Sequence, residues 1–135
     1  MTTPLSNELF WLVATTMMTG LFWIPYIINR MLEQGILTAI RDPLGLTETK
    51  TAWAERMMRA HENAIENLAI FAPLVIAIQL TGQSSFLTTS ACAIYFFARL
   101  IHYLVFTFAI PILRVVSFIA GFAAQLTLAI TLLNT

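Results

Sequence analysis

The chain has 135 residues, of which 59% are hydrophobic and only 10% charged, and its formal net charge at pH 7 is zero. A soluble domain of this size carries about 25% charged residues, so the deficit, with a mean hydropathy of +0.80, points to a membrane protein and argues against a charge-driven nucleic-acid partner. Cys92 is the only cysteine, which excludes an intrachain disulfide framework and a cysteine-based metal site.

Residues 1–8 contain Glu8 and no Lys or Arg. The basic n-region of a cleaved signal is therefore missing, and the first apolar run is too long for an h-region, so it is expected to stay as a membrane span. About 20 apolar residues cross a bilayer as a helix, and four stretches qualify. Span one runs from Leu9 to Asn29 and contains Gly20 and Pro25, which spans tolerate. The linker from Arg30 to Ala52 is the one substantial loop, with Asp42-Pro43-Leu44-Gly45 as a turn. Span two covers Trp53 to Leu80, with Thr51 as its N-cap and Glu55 near the positive helix end. Gly82-Gln83-Ser84-Ser85 turns the chain into span three, Phe86 to Phe108, and Ala109-Ile110-Pro111 breaks it before span four, Pro111 to Leu133. Two such short connections imply antiparallel neighbours. The predicted fold class is an all-α membrane protein, a single domain over residues 1–135 built as an antiparallel bundle of four transmembrane helices.

The linker holds Arg30, Arg41 and Lys50, whereas the segment before span one and the turn after span two hold no Lys or Arg. The positive-inside rule counts these basic residues and places the long loop in the cytoplasm with both termini outside. Every Lys and Arg then falls at or near one face, and the other half of the bundle reads as almost purely apolar.

The polar start of span two needs a reason. Arg30 and Arg56 are explained equally well as a snorkelling collar at the membrane surface. Deeper groups are not. At about 1.5 Å per residue, Glu66 lies roughly 20 Å along the helix from Trp53. Arg56, Arg59, Asn63 and Glu66 follow a 3-4-3 spacing and share one face. A charge at the bilayer centre costs about 2.5–3.5 kcal/mol, and helix-surface pairs such as Glu55 with Arg59 or Arg59 with Glu62 recover only a few tenths each. The stripe must therefore face protein or a wet cavity. Span three supplies a matching stripe in Arg99, His102 and Phe106, with Tyr95 and Tyr103 alongside. A structural Arg99–Glu66 bridge between the helices is one reading of it, while His61 and Glu62 face elsewhere. The local excess of arginine disfavours a metal. Arginines with one carboxylate and an asparagine suit a small anion that also carries an ammonium group, such as an amino-acid-like or peptide ligand.

Glu55-Arg56-x-x-Arg59-Ala60-His61-x-Asn63-x-x-Glu66, followed by Ala98-Arg99-x-x-His102 and Pro111-x-x-Arg114, resembles the MAPEG family, the membrane-associated proteins of eicosanoid and glutathione metabolism, and most of all its short bacterial members. The resemblance covers essentially the whole chain. It implies a homotrimer of four-helix bundles in the bacterial inner membrane, glutathione between neighbouring subunits near the cytoplasmic face, and lipophilic substrates arriving through the bilayer and its lipids. Carried over by position, it makes Arg59, Asn63 and Glu66 glutathione-binding, with Arg30, Arg99 and His102 joining them. It also makes Arg114 the catalytic residue that stabilises the glutathione thiolate, since a nearby guanidinium lowers a thiol pKa. Three positions depart from the pattern. Phe106 stands where several glutathione-using members carry tyrosine, Val115 where some carry serine, and Glu62 where the prostaglandin-synthase branch carries arginine. The resemblance implies a glutathione-dependent transferase or peroxidase acting on lipophilic electrophiles or hydroperoxides. The alternative is a non-catalytic lipid-binding or scaffold protein of the same fold.

Overall fold

The computed structural model describes residues 3–42 and 49–135. Six helices follow in order: α1 Asn7–Leu21, α2 Ile24–Gln34, α3 Ile36–Ile40, α4 Ala52–Thr81, α5 Phe86–Thr107 and α6 Pro111–Leu133. No strand occurs among the described residues. α1 with α2, α4, α5 and α6 give four stretches long and apolar enough to cross a membrane. α4 and α5 form a central pair, and each of them touches both α1 and α6.

Span one differs from the single helix expected. It breaks at Phe22–Trp23 and restarts as α2 with Pro25 in the first turn. The pyrrolidine ring has no N–H and crowds the carbonyl of Leu21, so the regular ladder cannot run through. The Phe22 amide instead donates to Thr19 O at 3.3 Å, and the Ile27 amide picks up Trp23 O at 3.0 Å. The linker is also more ordered than a loop. α2 continues to Gln34, Gly35 turns at φ 84°, and α3 adds one further turn and a half. Glu33 explains the order. Its carboxylate accepts from Asn29 Nδ2 at 3.0 Å, the Lys50 amide at 3.2 Å, and the hydroxyls of Thr49 and Thr51. Thr51 sits at the N-cap position of α4 as expected, but its side chain makes no cap bond because the hydroxyl is committed to Glu33. The turn expected at Asp42-Pro43-Leu44-Gly45 lies mostly outside the described residues.

The other boundaries fall within two residues of their expected positions, for identifiable reasons. Gly82 ends α4 in the left-handed region at φ 67°, and Gln83 N donates back to Ile78 O at 3.1 Å. Ser85 starts α5 with a capping box: the Thr88 amide donates to Ser85 Oγ at 3.2 Å, and the Ser85 amide to Thr88 Oγ1 at 2.8 Å. Ala109, at φ 57°, makes the sharp reversal before Pro111 opens α6.

The interior has two apolar clusters. One, toward the α4–α5 turn, joins Leu12, Phe71, Val75, Ile78, Cys92 and Leu128. The other, toward the arginine end, joins Phe22, Met57, Ala60, Ala64 and Tyr103. Stacked rings brace both, Phe71 on Tyr95 at 3.8 Å and Phe22 on Tyr103 at 3.7 Å, each pair contributing about 0.5–1.5 kcal/mol beyond area burial. In a bilayer, lipid tails are as apolar as leucine, so such shape-specific packing holds the helices together more than the hydrophobic effect does. The end expected to be almost purely apolar is not. Glu8 is 1% exposed, and its Oε1 accepts from Ser84 Oγ at 2.7 Å and Thr88 Oγ1 at 2.6 Å. The carboxylate lies beside the positive N-terminus of α5, which favours an anion there.

Candidate functional site

A polar layer lies between the two apolar clusters. Asn63 is its centre. It stands on the α4 face that meets α5, two turns on from Arg56, whose Nε also reaches α5. Its Oδ1 accepts from Arg99 NH2 at 2.6 Å. Asn67, one turn on, donates through Nδ2 to Asn63 O at 2.9 Å, and its own carbonyl accepts from Gln125 Nε2 of α6 at 3.0 Å. One chain of amides and a guanidinium thus ties α5, α4 and α6 together.

Arg99 is 2% exposed, yet its partner is a neutral amide. Among the described residues it forms no ion pair, and its Nε has no hydrogen-bond partner. The Arg99–Glu66 bridge weighed above is not formed. Glu66 is exposed, and Asn63, one turn earlier, takes the guanidinium instead. Gly121 of α6 lies against the arginine, and a Cβ there would sit in ordinary contact with Arg99 Cδ at 3.5 Å.

His102 lies one turn along α5, 3% exposed, with Nδ1 lacking a partner among the described residues. Its ring meets Phe106 at 5.6 Å and Phe118 at 6.0 Å. The Arg114 guanidinium lies 5.1 Å from the centroid of the same Phe106 ring, a cation–π distance. Phe106 therefore links His102 to Arg114, and Arg114 itself is exposed.

The remaining sequence-predicted residues sit around this layer. Arg59 is exposed on α4, with NH2 2.9 Å from Glu55 Oε1. Arg56 sends Nε to Thr107 O at 2.8 Å, which fastens the start of α4 to the end of α5. Arg30 is engaged by Asp42 at 2.6 Å, near the α2–α3 corner. The structure thus joins Asn63 directly to Arg99 and brings His102 and Arg114 to one ring, while Arg59 and Glu66 are exposed on α4 one turn to either side of Asn63. It holds Arg30 in a separate ion pair. His61 points away from the layer as expected, its Nδ1 2.7 Å from Tyr26 Oη of α2. Tyr103 also turns from the stripe, donating to Phe22 O at 2.9 Å.

Asn67, Gln125 and Glu8 were not singled out from the sequence as site or structural polar groups. Gln125 carried a usable signal, being a lone amide in an apolar 23-residue helix.

No Cys/His/Asp/Glu grouping suited to a metal occurs among the described residues. The donor set suits a small anion that also carries an ammonium group. Arg59, Asn63, Arg99, His102 and Arg114 can serve anionic oxygens or sulfur, and exposed Glu66 can accept from an amine. No match was found among curated proteins or among solved structures. The sequence model of the MAPEG family matches residues 9–134, a stretch that takes in the entire polar layer and nearly all of the four spans. The chain is therefore a four-helix membrane protein of the MAPEG family, the family of glutathione and eicosanoid metabolism.

Proposed function

We propose that the chain is a glutathione-dependent transferase or peroxidase that acts on lipophilic electrophiles or hydroperoxides drawn from the bilayer. The observation that carries this reading is the buried Arg99, whose only hydrogen-bond partner among the described residues is a neutral amide, set one turn from His102. A guanidinium kept out of water without a carboxylate is costly. An anionic ligand would offset that cost, and family membership makes glutathione the ligand of choice.

In this reading Arg59, Asn63, Glu66, Arg99 and His102 bind the peptide, Arg30 supports the site from its own ion pair, and Arg114 is the catalytic residue. Bound glutathione supplies the nucleophilic thiol. Arg114 acts on that group electrostatically, because a cation beside a thiol favours the thiolate. The chain works as a homotrimer in the bacterial inner membrane, with the long loop cytoplasmic and both termini outside. Arg59, Glu66, Arg114 and Phe118 are exposed in the single chain, as suits a site completed by a neighbouring subunit.

Phe106 favours a second reading, a non-catalytic lipid-binding or scaffold protein. The ring that engages Arg114 offers π density and no hydroxyl donor. One experiment separates the two. Purified protein in lipid nanodiscs is assayed for glutathione conjugation of a generic aromatic electrophile and for glutathione-dependent reduction of a lipid hydroperoxide. An enzyme turns over at least one of them, loses that rate in Arg114→Ala, and melts at a higher temperature when glutathione is added. No turnover across a broad panel, together with an unmoved melting temperature, leaves the scaffold reading standing.

A further inference from the structure

Gln125 takes no part in the chemistry proposed above, yet it is 5% exposed in the middle of α6. An amide inside a membrane span is costly unless it is hydrogen-bonded. The hydroxyls of α6 satisfy themselves on their own helix: Ser117 donates to Leu113 O, Thr127 to Ala123 O and Thr131 to Thr127 O. Among the described residues only Gln125 carries a hydrogen bond from α6 to another helix, donating through Nε2 to Asn67 O of α4 at 3.0 Å.

The seam around it makes that one bond count. The buried side of α6 consists of Ser117, Gly121, Ala124, Gln125 and Leu128, most of them small. Even a Cβ added at Gly121 would meet Arg99, Ala98 and Tyr95 of α5 only at ordinary distances of 3.5, 3.8 and 3.9 Å. Small residues let helices approach closely, but they interlock little, so they specify the rotation of one helix against the next weakly. A single buried polar residue can supply that specification, as an asparagine does for register in a coiled coil.

Helical spacing carries the effect to the other end of α6. Arg114 and Gln125 stand about three turns apart, roughly 16 Å along the axis, and share one face. Phe118, one turn on from Arg114, meets the His102 ring at 6.0 Å, and the Arg114 guanidinium lies 5.1 Å from the Phe106 centroid. A slip of one residue turns that face by about 100° and takes both contacts off α5.

We propose that Gln125 is a positioning residue. It fixes the rotation and register of α6, and through them the place where Arg114 meets a ligand held by α4 and α5. The second statement rests on the thiol chemistry proposed above, whereas the first does not.

The test uses the full chain in nanodiscs with 4-fluorophenylalanine at position 118 alone, in the wild type, in Gln125→Met and Gln125→Leu, and in Thr131→Val. Methionine keeps the length of glutamine and lacks the donor. Thr131→Val removes a bond that stays within α6. One fluorine resonance is expected in the wild type and in Thr131→Val, and a moved or split resonance in both Gln125 variants. Thiolate absorbance of bound glutathione, titrated against pH, reads the consequence at Arg114. In the Gln125 variants the ionisation of the bound thiol is expected to shift upward by about one pH unit, a roughly tenfold smaller thiolate fraction at neutral pH, with kcat lowered and KM for glutathione held. An unmoved fluorine resonance in both Gln125 variants would overturn the proposal, as would the same displacement in Thr131→Val. A moved resonance with unchanged thiol ionisation would overturn the link to Arg114. A wild type that binds no glutathione would sink the enzymatic reading instead, and the fluorine signals would still decide whether Gln125 sets the register.

Discussion

Asn63 carries two duties at the residue scale, holding Arg99 and leaving it positive. Replacing it with leucine removes the acceptor and leaves a guanidinium buried without a partner, so Asn63→Leu is expected to lose about 2 kcal/mol of stability, read as a lower thermal midpoint in nanodiscs. Asn63→Asp is the sharper variant. It supplies a carboxylate at the 2.6 Å contact and neutralises the cluster from within. It should keep or raise the midpoint of the ligand-free protein while erasing the further rise that glutathione gives the wild type. An undiminished glutathione shift in Asn63→Asp would mean that the positive charge of Arg99 is not used for binding. Phe106→Tyr makes the converse test at the other end of the site. The new hydroxyl would lie next to Arg114, and one added hydrogen bond of about 1 kcal/mol corresponds to roughly fivefold in kcat/KM. A fall in thiol-dependent turnover would exclude that role for the position. Asn63, Arg99, His102 and Arg114 were legible in the sequence because polar side chains inside apolar runs are costly and therefore informative. Gln125 met the same criterion and escaped notice because attention went to charge. Glu8 escaped because a carboxylate eight residues from the start reads as solvated, and only the fold brings Ser84 and Thr88 to it. No spacing in the sequence could have announced that Arg99 would choose Asn63 over Glu66, since that depends on the rotation of α4 against α5.

Element by element, the helix ends follow from a few residues whose backbone needs are strict. Gly82, Ser85 and Pro111 each dictate a local geometry, which is why α4, α5 and α6 could be bounded from sequence. The α1–α2 break was not anticipated, because membrane helices often accommodate a proline and the sequence does not say whether a given one will. The order of the linker was hidden for another reason: Glu33 gathers partners from both sides of it, a long-range arrangement. Among the described residues, Ala109 is the one with strict needs that the sequence fails to meet. It holds φ 57° without being glycine, a conformation that costs an L residue about 1–2 kcal/mol. Ala109→Gly is therefore expected to raise the thermal midpoint, and Ala109→Val, adding a β-branch in the left-handed region, to lower it by a similar free energy. Equal midpoints for the two variants would show that the reversal carries no strain. Gly121 tests the α5–α6 seam in the same way. Its Cβ position is 3.5 Å from Arg99 Cδ, an ordinary contact, so Gly121→Ala should be neutral or slightly stabilising given the poor helix propensity of glycine. Gly121→Leu must push Arg99 off Asn63 and should cost about 1–3 kcal/mol, with the glutathione-induced midpoint shift lost as well.

For the whole molecule, the distribution of polarity along the bundle axis decides how it sits in the membrane. Large apolar side chains cover its flanks, among them Met17, Ile76, Ile94 and Phe122, all of them exposed, and only a bilayer makes that surface stable. The basic groups gather where α2 and α5 end and where α4 and α6 begin, whereas the opposite end is closed by buried Glu8 and carries no Lys or Arg among its described residues. The orientation proposed above, with the arginine end in the cytoplasm, rests on reading that asymmetry by the positive-inside rule. The chain is suited to a direct test because its lone cysteine is silent: Cys92 is 0% exposed, deep between α1, α4 and α6. Thr38, exposed on α3, and Thr135, exposed beyond α6, mark the two ends. In intact cells a membrane-impermeant maleimide is expected to label Thr135→Cys and to spare Thr38→Cys and the wild type. Permeabilised cells should label both variants and still spare the wild type. The reverse pattern in intact cells would put the polar layer near the outer surface, away from the reducing cytoplasm where glutathione is kept as a thiol. That single result would remove the co-substrate from the site on which the catalytic reading depends, without touching the fold.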